Sequence, residues 1–165
     1  KRTISVFELK VLSNPMPIAT KSDIIDLSSE NKTEELANQI LEKLKIGDIV
    51  FLYGEMGIGK TTFIRYLING LQKRNKIKLS EVTSPTFNIL NEYQINQTKI
   101  NHYDLFRLKS ATEIKDLDIF GDSKNSITFI EWPQIIKELP KNLIEIIFNY
   151  EADYKKRSVK IIGLD

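Results

Sequence analysis

Cysteine is absent from this chain, which excludes a disulfide framework, a thiolate metal site and a cysteine nucleophile. Long apolar runs are missing too. None approaches the ~20 residues of a membrane helix, and the opening "KRTISVFELK" is broken by Glu8 and Lys10, unlike the apolar core of a signal peptide. The expectation is a soluble, cytoplasmic protein. Neither sign of charge dominates: 24 basic against 22 acidic side chains leave a formal charge of +2. A global electrostatic footprint for nucleic acid is therefore lacking, and any RNA contact has to be local or made through a partner. Histidine and tryptophan occur once each, as His102 and Trp132.

What is present is one domain's length of chain, 165 residues, with no internal repeat or low-complexity linker. Residues 1 to 22 carry the Pro-rich interruption "SNPMP" and match no motif. They read as an extension, with Ile4, Val6 and Leu9 as candidates for a short edge strand. Residues 23 to 165 read as a single domain. "DIIDL" predicts a short strand. Asn31 with Glu34 has capping-box spacing, and Leu36, Ala37, Ile40, Leu41 and Leu44 fall on one helical face before Gly47. "DIVFLY" is an apolar run of the kind that forms a strand buried on both faces. "PTFNILNEYQ" and "TKINHYDL" alternate on either side of Asn96 and Gln97, which predicts an antiparallel hairpin. Ser110 with Glu113 marks another helix start, "SITFIEW" a second buried strand, and "LIEIIFNY" and "SVKIIGL" two strands joined by a charged turn.

Behind "DIVFLY" stands "GEMGIGKTT", in which Gly54, Gly59, Lys60 and Thr61 fit the phosphate-loop pattern G-x-x-x-x-G-K-[ST]. The glycines let the backbone turn with positive φ, so that successive N–H groups of residues Glu55, Met56, Gly57, Ile58 and Gly59 can face phosphate oxygens. The helix that follows aims its positive end at the same place. Lys60 is placed to neutralise β- and γ-phosphate charge, the Thr61 hydroxyl to ligate magnesium and Thr62 to meet the α-phosphate. The pattern sits between a buried strand and an amphipathic helix, the context that gives it force.

Such a site also needs a carboxylate at the end of a neighbouring strand. Asp104 closes "KINHYD" and Glu131 closes "SITFIE", and the residues alone leave the division of labour between them open. "SPTF", Ser84 to Phe87, lies where switch segments occur, with the Thr86 hydroxyl able to approach a γ-phosphate or its metal. His102 alternates with Asp104 on one strand face; a lone histidine there reads first as a structural group. Trp132 reads as a core or partner-facing anchor; Arg65 and Arg107 are candidate phosphate ligands, although an arginine on a helix or loop is more often simply solvated. Guanine readers carry N-K-x-D downstream of the loop; none is there, which points to ATP.

The loop, "SPTF", "HYDLFRL" and "IEWP", in this order and spacing, resemble the TsaE (YjeE) family of tRNA threonylcarbamoyladenosine biosynthesis proteins across roughly residues 24 to 164. The chain departs from the family's loop at Glu55, Met56 and Ile58, losing no glycine and not the lysine; Ile58 replaces a small residue and is expected to crowd the loop slightly. The resemblance implies a P-loop NTPase-like α/β three-layer sandwich, parallel in the middle with antiparallel flanking strands. It implies that Lys60, Thr61 and Thr62 hold phosphates, Thr61 and Glu131 magnesium, that Asp104 supports ATP turnover, and that Thr86 and Trp132 lie beside the nucleotide. Further nucleotide contacts are implied near Glu30 to Thr33 and among Lys155, Lys156 and Arg157. The implied role is a weak, Mg²⁺-dependent ATPase that assists N6-threonylcarbamoyladenosine modification of tRNAs reading ANN codons. It would act with the transferase subunits TsaD and TsaB, touching tRNA through that complex. The alternatives are a small-molecule P-loop kinase, against which stands the scarcity of arginine in mid-chain, and a nucleotide-gated binding module.

Overall fold

The computed structural model describes residues 24–164, so the expected extension of residues 1 to 22, with its strand around Ile4, Val6 and Leu9, lies outside the described residues. A seven-stranded sheet runs in the order β1-β7-β6-β2-β5-β4-β3. Its strands are β1 (Ile24–Asp26), β2 (Ile49–Tyr53), β3 (Leu90–Ile95), β4 (Thr98–Asp104), β5 (Ser126–Glu131), β6 (Leu143–Glu151) and β7 (Lys156–Ile162). The four inner strands β6, β2, β5 and β4 are mutually parallel. β7 and β1 continue one side and β3 the other, all in antiparallel pairing. This is the arrangement expected from the sequence.

Alternation along the inner strands builds two cores. Val50 and Leu52 of β2, Ile127 and Phe129 of β5 and Ile144, Ile146 and Phe148 of β6 point to one face, where α1 (Glu30–Leu41) and α2 (Lys60–Arg74) bury Leu36, Ile40, Phe63, Ile64, Leu67 and Ile68. Each of those side chains contributes about 1.5–3 kcal/mol by leaving water. Ile49 and Phe51 point the other way, with Ile130 and Tyr103, under a thinner layer made by α3 (Ala111–Asp116) and irregular segments. Ile114 and Leu117 pack against that second core while staying partly exposed. Among the described residues no helix is long and apolar enough to cross a membrane.

Three boundaries differ from the sequence reading. Ser29, not Asn31, caps α1, its hydroxyl accepting from the Lys32 N–H, so Glu34 is no partner in a capping box. α1 stops at Leu41, and Gly47 instead shapes the turn into β2 at φ 98°. β3 begins at Leu90 rather than Pro85, because residues 85–88 form a turn in which the Ile89 N–H bonds to the Pro85 carbonyl. Ser110 and Glu113 do form the expected capping box.

Candidate functional site

The parallel strands β2, β5 and β4 end at one edge of the sheet, and the loop from β2 to α2 wraps over that edge. Gly54, Gly57 and Gly59 take φ of 151°, 80° and 116°. At Gly54 a Cβ would also come within 2.8 Å of Ile58 Cγ2 and 3.0 Å of Phe148 Cβ, so both conformation and space require glycine there. Ile58 does not crowd the phosphate side of the loop: its side chain is 1% exposed and belongs to the larger core. Gly59 starts α2 with no side-chain cap, leaving the first N–H groups of that helix open toward the cavity.

That cavity, about 260 Å³, is lined by Met56, Gly57, Gly59, Lys60, Thr61, Thr62, Ser84, Thr86, Asp104, Phe106, Glu131 and Trp132. Most of the expected site residues thus come together. Gly54, Glu55 and Ile58 line a different hollow, between the loop and the β6–β7 turn. Lys60 is only 4% exposed; its ammonium donates to the carbonyls of Gly54 and Glu55, the latter at 3.0 Å, and lies 4.2 Å from the centre of the Trp132 ring. Burial pushes its pKa below the usual lysine value, while the charges of Glu131 and Asp104 pull the other way. Trp132 reaches this position because its own backbone turns into the left-handed region, φ 58°, and its ring leans on Phe106 at 4.9 Å.

Asp104 and Glu131 are partners in register on β4 and β5, and each is 3% exposed. Glu131 Oε1 accepts from the Thr61 hydroxyl at 2.8 Å and faces His102 Nε2 at 2.8 Å. Asp104 Oδ2 accepts from Ser84 Oγ at 2.6 Å and Thr86 Oγ1 at 3.0 Å, and its Oδ1 from the Phe106 N–H at 3.0 Å. The donor set is one of hard oxygens, which fits magnesium rather than a softer metal. Among the described residues no group of three or more His, Asp or Glu side chains forms a cage of its own.

Arg65 sits beside Glu30 at 3.7 Å and Arg107 over the exposed ring of Phe87, so neither lines the cavity. Tyr66 donates to Glu30 at 2.5 Å; burial first, then this bond, pushes its phenol up to about 12. Of Lys155, Lys156 and Arg157, at the start of β7, Arg157 reaches the loop, donating from Nη1 to the Ile58 carbonyl at 3.1 Å. Phe106 was missed as a lining residue. Its place two positions after the strand-ending Asp104, in a turn fastened by that carboxylate, was the available signal.

A strand, phosphate-type loop and helix at the edge of a mostly parallel sheet, faced by two strand-terminal acids, define a P-loop NTPase-like α/β protein. Residues 27–159 match the family model "Threonylcarbamoyl adenosine biosynthesis protein TsaE". The chain belongs to the TsaE family. It is 42% identical over 138 residues to the tRNA threonylcarbamoyladenosine biosynthesis protein TsaE of Rickettsia conorii, covering 82% of this chain and 75% of that one. To the TsaE of Aquifex aeolicus it is 35% identical over 136 residues, 82% and 92% of the two chains. The crystal structure of Bacillus subtilis YdiB is similar with a TM-score of 0.65 and 25% identity, over 84% of this chain and 83% of that one.

Proposed function

We propose that the protein binds ATP with Mg²⁺ and hydrolyses it slowly. In doing so it would support threonylcarbamoyladenosine formation in tRNA, in the cytoplasm, together with TsaD and TsaB homologues that hold the tRNA. The observation that carries the reading is the convergence of Lys60, Thr61, Asp104 and Glu131 on one cavity from three separate strand ends. Relatives named for this modification, matched over most of both chains, supply the process.

The loop N–H groups and Lys60 hold the phosphate chain, with Thr62 at its near end. Thr61 and Glu131 are the side chains that would hold magnesium, which when bound would supply positive charge against the phosphates. Asp104 orders the attacking water from the adjacent strand end, with Ser84 and Thr86 as its hydroxyl partners. Trp132 closes the cavity wall behind Lys60 and keeps bulk water from the ammonium. The paths of Arg65 and Arg107, toward Glu30 and Phe87, argue against the arginine-lined lid of a small-molecule kinase.

The test is complementation. In bacteria depleted of their own TsaE, the wild-type chain restores threonylcarbamoyladenosine in ANN-decoding tRNAs, measured by mass spectrometry of nucleosides, and Lys60→Ala does not. Full restoration by Lys60→Ala would overturn the reading.

A further inference from the structure

His102 is fully buried on β4, on the same strand face as Asp104; its register partner on β5 is Phe129, which places Glu131 diagonally opposite, two residues further along. Its Nε2 lies 2.8 Å from Glu131 Oε1. A carboxylate oxygen only accepts, so Nε2 is the nitrogen that carries the proton. The other nitrogen, Nδ1, is buried and has no partner among the described residues. A histidine kept only for packing gains nothing from this arrangement, because it leaves one buried polar atom unsatisfied. The bond it does make falls on the carboxylate assigned to the metal. Thr61, from α2, donates to the same Oε1 at 2.8 Å. The two donors come from different elements and both meet Oε1. Oε2 accepts nothing among the described residues, and Glu131 lines the cavity.

We propose that His102 is a positioning residue: by donating from Nε2 to Glu131 Oε1 it fixes the carboxylate so that Oε2 is left to face the cation of the nucleotide site. The inference rests on the nucleotide-site reading above. A second partner behind a metal-holding side chain is commonly worth 10–100-fold in metal affinity or activity. His102 is fully buried and does not line the cavity, so it acts through Glu131.

The experiment measures ADP binding by calorimetry at a series of free Mg²⁺ concentrations, and again in EDTA, for wild type and three variants. His102→Leu fills the space without a donor. His102→Asn is polar but about 1 Å too short to reach Glu131, and serves if the leucine variant does not fold. His102→Gln restores an N–H at nearly the imidazole's reach. Leu and Asn raise the half-saturating Mg²⁺ concentration about tenfold or more, leave ADP binding in EDTA within twofold of wild type, and Gln recovers most of the loss. Unchanged Mg²⁺ dependence in Leu or Asn overturns the proposal. So does an equal loss of binding with and without Mg²⁺, the mark of a merely structural role. A wild-type protein that binds ADP indifferently to Mg²⁺, or not at all, overturns the nucleotide-site reading as well, and is told apart because the wild type itself fails.

Discussion

Asp104 and Glu131 stand side by side at the ends of adjacent parallel strands, equally buried, and yet they are held by different parts of the molecule. Glu131 is gripped from within the rigid body. One donor, Thr61, sits on the first turn of α2, whose apolar face is packed into the main core; the other, His102, is a strand residue with no exposure. Asp104 is gripped from loops: Ser84 and Thr86 in the "SPTF" turn, and the Phe106 N–H beyond its own strand. Those loops expose Phe87 at 82% and Phe106 at 46%. Equal burial thus conceals unequal restraint. A carboxylate held by core elements keeps one geometry, which suits a cation. A carboxylate held by surface segments can follow them, which suits a water that has to be placed only at the right moment.

Variants rank themselves along this contrast. The largest effect belongs to Lys60, whose ammonium feels the charge of both acids: Lys60→Ala weakens ADP binding and lowers ATP turnover by about a hundredfold or more. Calorimetry and phosphate release check this. Next is Glu131→Gln, which lowers turnover about 10–100-fold and shifts the Mg²⁺ requirement upward, with ADP binding in EDTA retained. Asp104→Asn separates the two sides. Turnover falls about tenfold, while the Mg²⁺ requirement for ADP binding moves less than threefold. If both acids shifted the Mg²⁺ requirement alike, the division between a metal side and a water side would be wrong. Thr86→Val, which removes one hydrogen bond worth about 1 kcal/mol, changes turnover about fivefold and leaves metal-free binding alone.

The smallest effect is a pH dependence. Burial lowers the Lys60 pKa below the ordinary 10.5, so in the window beneath that value the unfolded chain holds the proton more firmly than the folded one. Stability therefore gains with rising pH across that window, while affinity for the phosphate anion falls as the ammonium is lost. Melting and ADP titration against a Lys60→Met control read the two slopes, which must have opposite signs.

The order of elements, the parallel centre and the phosphate loop were legible because each leaves a local mark: a continuous apolar run, a glycine pattern, a capping serine with its glutamate. The pairing of Glu131 with Asp104 was legible in outline, since both close strands. What lay hidden depended on contacts between distant segments. Ser29 is the cap because it is extended, at φ −121° and ψ 154°, and its hydroxyl takes the Lys32 N–H, while Asn31 already lies inside the helix. His102 reads as a core residue by itself, and its bond to Glu131 arises only when β4 and β5 align in register. Arg157, 99 positions from Ile58, reaches the loop because the β6–β7 hairpin returns to it. Ile58 was expected to press on the loop, but its side chain turns into the core.

The proposal that this cavity turns over ATP in the service of a tRNA-modifying assembly has a direct readout in phosphate release. ATP hydrolysis measured for the purified chain alone, and with TsaD and TsaB homologues and tRNA added, tests it most directly. The expected result is slow hydrolysis alone, an increase of about tenfold or more with the full set, and none above background for Lys60→Ala in either setting. Hydrolysis absent in every combination, or a Lys60→Ala variant as active as the wild type, would contradict it.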